Sequence, residues 1–448
     1  MTSTQVTRPV PASVAETLRV AAEVVLPALA GGVIKRRPAA MGLAGKLQFD
    51  RPAVKLLTRL RDRYDGRPLR LRVPGRSVEL ALSGDDVATL LAGAPTPFSP
   101  STKEKRAALG HFQPHGVLIS DAADRPARRR FTEAVLEPGR PLHELAAPFA
   151  AAVADEAAVL LSETTREDEL NWDTFNVAWW RLVRRIVLGT GARDDETLTD
   201  LLERLRIDAN WAYLHPRRKQ VHARFRERLA AHLGRAEPGS LAAAVAEAGD
   251  DGSAADQVAH WLFAFDAAGM TTYRTLALLA THPAALERAR TDLAGLDLAE
   301  PNQLGYLRAC VLDTVRLWPT TPMILRETTE ETAWGPAGTT VLIFAPFFHR
   351  DAKLPYADRF EPDIWLDGRA AASPALVPFS AGPAICPGRD LVQFCASTML
   401  ANLVSGHAFE QTSGPVLAPD RPLPATLDNF HLEFAVRPVP PREGGGTG

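Results

Sequence analysis

The sequence predicts a mainly α protein with smaller β-sheets, an α+β fold, and three observations carry that expectation. From position 85 to about 293, nearly every segment repeats its apolar residues every three to four positions, as one helix face does. Short alternating runs that read as strands are confined to the two ends, at 69–73 and 78–82 and again at 339–344 and 431–436. A long Pro-, Gly- and Asp-rich segment, 348–387, follows neither period and runs straight into a last helix. Irregular stretches of that length are usually functional.

In chain order, Asp50-Arg-Pro opens a helix over 50–64, with proline just inside its start. Pro74-Gly75 turns the chain between the first two strands. Helices follow at 85–91, 125–136, 142–161, 172–188, 196–208 and 221–233, then a long one at 254–281. Helix 307–317 stops before Pro319, and helix 389–404 precedes the last strand. The apolar stretch 24–34 lies between Glu23 and Lys35 and falls well short of the roughly 20 residues a bilayer span needs. It also lacks a charged leader and a cleavage site, so it reads as an ordinary helix, not as a membrane anchor or signal. The ends, 1–11 and 438–448, are polar or Pro/Gly-rich and are expected to be flexible. No repeat or linker divides 12–437, which is expected to be a single domain.

Composition narrows the function classes. The 448 residues are 46% hydrophobic, enough for a large core. With 51 Lys+Arg against 53 Asp+Glu, no overall field recruits nucleic acid or an anionic membrane, and a monomer is expected. The three cysteines, Cys310, Cys386 and Cys395, form no C-x-x-C pair. That argues against a disulfide framework or structural zinc and for a reducing cytoplasm.

One cysteine is placed for chemistry. Phe379-Ser-Ala-Gly-Pro-Ala-Ile-Cys-Pro-Gly388 sets Cys386 where the irregular segment meets the last helix. Pro387 suits a first helical position, and the free N–H groups beyond it can point at the sulfur and favour a thiolate. Gly382 and Gly388 remove side chains where a flat cofactor must come close to the backbone. Cys310 and Cys395, within helices, read as ordinary buried thiols. A lone thiolate without His or Cys neighbours suits an axial haem ligand better than a four-ligand zinc.

The pattern F-x-x-G-x-x-x-C-x-G over these residues resembles the haem-binding signature of the cytochrome P-450 family, and the likeness continues from about residue 50 to 436. It implies the family fold, with a long central helix over haem b, a cysteine-ligand loop, and a monooxygenase. On that helix Ala268-Gly-Met-Thr-Thr272 is similar to the family's oxygen-binding stretch. There Gly269 would let the helix pass close over the haem and Thr272 would relay protons, with Thr271 standing where an acid is usual. The plain alternative is a core helix whose threonines bond to their own carbonyls. Phe265, Ala268, Gly269 and Thr272 fall on one face, and Asp266 is expected to point elsewhere. Asp313-Thr-Val-Arg316 resembles the family's E-x-x-R pair, which anchors the cysteine loop; an ordinary helix pair is the alternative. Ile364 stands where many members carry a third partner, an arginine.

For the haem propionates, the resemblance implies Arg125, Arg129 and Arg326, since Ala384 stands where Arg or His is usual. It also implies O2 as co-substrate, with ferredoxin and a ferredoxin reductase as separate electron donors docking near Arg128, Arg130 and Arg389. A small, largely apolar substrate, by family analogy a natural product in secondary metabolism, would contact Phe112, Val117, Phe265, Met323, Ile324 and Phe430. A peroxygenase or an atypical coupling or rearranging catalyst, and a non-catalytic haem-binding protein, stay open beside it.

Overall fold

The structure is a computed structural model that describes residues 8–249 and 252–439. Its axis is the helix Ala254–Thr281, buried along most of its length. The buried polar side chains of this helix, among them Asp256, Gln257, Asp266 and Arg274, are all partnered within the protein. The helices Trp172–Leu188, Gly305–Leu317 and Arg389–Gly406 make the most extensive helix packing on it. Trp179, Leu182, Leu276, Leu279, Met399 and Leu400 lie in the core they share.

A six-stranded sheet flanks this helical body, in the order Val10–Pro11, Leu69–Val73, Arg76–Leu80, Thr340–Phe344, Met323–Thr328, Phe98–Ser99. Its Leu69, Leu71, Leu80, Val341 and Ile343 pack with Leu56, Leu57 and Leu60 from helix Asp50–Arg63. That helix follows the expected logic, with Asp50 in its first turn and Arg61 and Arg63 in its last. A second sheet joins Glu169–Asn171, Glu433–Pro438 and His407–Ser413, all antiparallel.

Several boundaries differ from the sequence expectation. Val10 and Pro11 are not a free end: they pair with Leu69 and Arg70, because the edge strand of the sheet still has backbone groups to satisfy. Residues 1–7 and 440–448 lie outside the described chain. The helix expected at 142–161 is Ala146–Glu167. Its start is delayed because the His143 ring is bound to the Val135 carbonyl and the Leu145 N–H, which fixes the preceding turn. Met323–Thr328, to which the sequence pattern assigns no element, is a strand between Thr340–Phe344 and Phe98–Ser99, with Arg326 opposite Val341. Lys103–Leu109 is a short helix capped by the Thr102 side chain; its polar sequence shows no apolar face.

Candidate active site

Cys386 closes a tight loop. Its N–H donates to the Phe379 carbonyl at 3.0 Å. Ser380 and Gly382 turn the chain with φ of 63° and 65°. At Gly382 a Cβ would overlap the Leu91 carbonyl oxygen, so this glycine serves the turn and its contact with helix Gly84–Ala92, not clearance for a cofactor. Gly388 caps the last helix, which starts at Arg389, and its N–H bonds to the cysteine sulfur. Burial pushes the Cys386 thiol up; this N–H and the Arg129 and Arg389 guanidiniums pull it down without prevailing. The thiol lowered by a helix end, as the sequence suggests, is thus corrected: desolvation outweighs the dipole. A bound metal cation would reverse that balance. Cys386 keeps some exposed surface despite the dense packing round its sulfur, whereas Cys310 and Cys395 are fully buried.

Behind the loop, Asp313 and Arg316 have no exposed surface and bond at 2.6 and 3.1 Å. Arg316 also donates to the carbonyls of His349, Ala357 and Arg359. Asp313 accepts the Glu361 N–H at 2.7 Å and the Trp365 indole N–H at 3.2 Å. The indole of Trp365 thus fills the third place that Ile364, buried beside it, cannot. This is a buried anchor across two stretches of the irregular segment, not a surface helix pair.

On the other side of the loop the charges are not balanced. Arg125 donates to the Val117 carbonyl at 2.7 Å, and Arg326 to the Leu325 carbonyl and the Ser380 hydroxyl at 3.0 and 3.1 Å. Lys105 donates to the carbonyls of Pro100 and Leu325 at 2.8 and 3.1 Å. Among the described residues no carboxylate bonds to any of the three. Burial and mutual repulsion push Arg326 down to about 10 and Lys105 to about 7, and burial with the charge of Arg129 pushes Arg125 to about 10. Buried cations without counter-charge are costly, so the cluster fits a dianion such as the two carboxylates of a haem. Arg129 differs from the expectation: it bonds Glu133 at 2.6 Å and the Ile385 carbonyl at 2.9 Å, bracing the cysteine loop.

On the central helix, Thr272 is fully buried and donates to the Ala268 carbonyl at 2.8 Å, while Thr271 donates to Ala267 at 3.0 Å. Each hydroxyl oxygen can still accept a hydrogen bond. Asp266 turns away to a buried contact with Arg206; burial would raise its carboxyl, but Arg206, Lys35 and Arg36 outweigh burial and hold it low. The role expected for Gly269 is corrected. A Cβ there would lie 2.7 Å from Trp179 Cδ1, so its small size admits the indole of the neighbouring helix.

Three comparisons bear on these features. A family model described as cytochrome P-450 matches residues 251–427. Cyclooctat-9-en-7-ol 5-monooxygenase of Streptomyces melanosporofaciens is 28% identical over 344 residues, covering 66% of this chain and 74% of that protein. The (+)-piperitol/(+)-sesamin synthase of Sesamum radiatum is 33% identical, over 33% of this chain and only 32% of its own length. A crystal structure of a cytochrome P-450 matches with a TM-score of 0.67 at 17% identity, covering 86% of this chain and 98% of that one. At that identity the last match speaks for the fold alone. Together these matches support a cytochrome P-450 family member.

Its cytochrome P-450 relatives are oxidoreductases of the monooxygenase type, and a haem iron is the cofactor that family implies. No helix among the described residues is long and apolar enough to cross a membrane. Its expected pocket residues are not brought together as one set. Phe112 meets Phe263 edge-on at 5.5 Å, and the Val117 N–H is held by Gln257 on the central helix at 2.8 Å. Ile324 and Met323 lie on the strand that carries Arg326. Phe265 does not join them: its carbonyl accepts the Trp179 indole N–H at 2.8 Å and its ring lies 6.4 Å from that indole. Phe430 likewise sets its ring against Trp172 at 5.5 Å. Of the arginines expected at a docking face, Arg130 is exposed, Arg389 pairs with Asp390 at 3.2 Å, and Arg128 is held by Asp124 and Ser120.

Sequence reasoning missed Lys105 and Trp365. Lys105 is in a helix without amphipathic pattern, and its importance comes from a strand more than two hundred positions away. Trp365 directly follows Ile364, whose departure from the usual arginine was the only hint of a substitute.

Proposed function

We propose that residues 12–437 form one catalytic unit that binds haem b through Cys386 and hydroxylates, or otherwise oxidises, a small and largely apolar natural product. The observation that carries this is the pairing of a partly exposed loop thiol with buried cations that lack carboxylate partners. Cys386 Sγ would hold the iron and Gly388 N–H would support the charge on sulfur, with Arg129 bracing the loop. Arg125 and Arg326 would pair with the haem carboxylates. When bound, the haem iron supplies the redox chemistry that activates oxygen. Thr272 Oγ1, released from the Ala268 carbonyl, would hold a proton at the oxygen-binding side, and Thr271 would pass protons by way of water. Phe112, Val117, Met323 and Ile324 would exclude water from the substrate. The name of the Streptomyces relative, which describes a monooxygenase of a hydrocarbon alcohol, supports a substrate of that kind. Electrons would come from a ferredoxin and its reductase in the cytoplasm.

The ferrous carbon-monoxide spectrum tests this reading. The wild-type chain should give the strongly red-shifted band of a thiolate-ligated haem, and Cys386→Ser should lose it while remaining folded. A variant that keeps the band overturns the assignment.

One observation favours a second reading, with peroxide as the oxidant: Thr271 has no carboxylate, and that of Asp266 is committed to Arg206. Turnover supported by hydrogen peroxide but not by ferredoxin, reductase and NADPH would select it. With O2 as oxidant, Thr272→Ala should waste electrons as peroxide or water instead of product.

A further inference from the structure

Ala384, two positions before the cysteine, has no side chain that could reach an anion, yet the structure supplies a cation from elsewhere. The Lys105 ammonium and the Arg326 guanidinium converge on a single acceptor, the Leu325 carbonyl, at 3.1 and 3.0 Å. The nearest acid in sequence, Glu104, turns its carboxylate to Arg76 instead. Two of the three ammonium protons of Lys105 are placed, on Leu325 and on Pro100; the Nε of buried Arg326 has no partner. Two cations aimed at one carbonyl repel each other unless an anion joins them.

We propose that Lys105 is a haem-carboxylate ligand, standing in from a distant helix for the cation that the cysteine loop lacks at Ala384. This rests on the haem-binding reading and adds to it a residue of this chain. The carbonyls of Pro100 and Leu325 fix the ammonium beside Arg326, so its third proton and the free Arg326 Nε–H are left for carboxylate oxygens. The neutralised cluster would then tie helix Lys103–Leu109, strand Met323–Thr328 and the loop at Ser380 to one bound group.

The test measures haem transfer to excess apomyoglobin from the purified holoprotein, for haem and for haem dimethyl ester, whose carboxylates are neutral. Lys105→Met should release haem about tenfold faster or more, as expected for the loss of one charge-assisted hydrogen bond. Release of the dimethyl ester should hardly change, and Lys105→Arg should hold haem nearly as well as the wild type. Unchanged haem release in Lys105→Met, or equal acceleration for both probes, overturns the proposal while leaving thiolate ligation intact. A wild-type chain that gives no thiolate-haem spectrum overturns the haem reading and this proposal together.

Discussion

Arg316 and Arg326 are close in sequence and both buried, but their surroundings are opposite. Arg316 has a bidentate carboxylate and three carbonyls, in a network that includes two further N–H donors on Asp313. Arg326 has one carbonyl and one hydroxyl, an Nε with no partner, and a second cation sharing its acceptor. A complete buried network is structural, since every group has exchanged water for protein. An incomplete one, equally buried, marks a place where something else must supply charge. The contrast separates what holds the cysteine loop from what meets the cofactor.

The largest expected effect breaks the complete side. Asp313→Ala leaves Arg316 charged in the interior without a carboxylate and also strands the Glu361 N–H and the Trp365 indole. It should destabilise the haem-free protein by about 3 to 5 kcal/mol, read from urea unfolding. A loss below about 1 kcal/mol would mean that the anchor is an ordinary surface pair.

The same kind of change on the incomplete side should have the opposite sign. Arg326→Met removes a buried cation that has no counter-charge, so the haem-free protein should become more stable, by up to about 4 kcal/mol. Haem retention should fall at the same time. Destabilisation of the haem-free form would show that Arg326 is already satisfied by the protein alone.

How much of this contrast was legible in sequence depends on range. Cys386 could be picked out because its chemistry is set locally, by a loop, a proline and a helix start. Asp313 and Arg316 were visible as a pair one turn apart, but their burial and the role of Trp365 depend on how the irregular segment folds back. Arg326 was found by resemblance, and Lys105 was not found, because Lys103-Glu-Lys-Arg106 reads as a solvated charge run. Most long helices were placed nearly to the residue by their apolar spacing, with 142–161, which is Ala146–Glu167, the exception. Met323–Thr328 was not, since it alternates Ile324 with Arg326 and Thr328 on its buried face. Phe265 and Gly269 were put on the correct helix and given the wrong neighbour: a shared face says which residues lie together, not what lies opposite.

Titration sharpens the comparison further. Lys105 is pushed from 10.5 down to about 7, first by burial and then by Arg326 and Arg125, with Glu104 opposing. Below about pH 7 the ammonium is charged in both folded and unfolded chains, and its burial cost is complete. Between about 7 and 10.5 the folded chain gives up the proton first, so the unfolded state binds more protons and stability rises with pH. The haem-free wild type should therefore gain stability relative to Lys105→Met as the pH rises across that window. In the holoprotein, carboxylate partners should keep the ammonium charged and remove the difference. Parallel pH profiles of the two haem-free proteins would mean that the ammonium is effectively in water.

The smallest effect tests the corrected role of Gly269. Alanine gains roughly 1 kcal/mol over glycine in a helix interior, but its Cβ would press on the Trp179 indole, whose N–H is tied to the Phe265 carbonyl. Overpacking at such a contact costs about 1 to 3 kcal/mol, so Gly269→Ala should be net destabilising by about 1 kcal/mol. The decisive measurement is a double-mutant cycle with Trp179→Phe. The smaller ring should relieve the clash, so the two changes together should cost less than their sum. If Gly269 instead matters because the helix passes over the haem, Trp179→Phe will not rescue it, and the loss will appear in haem binding and not in the stability of the haem-free chain.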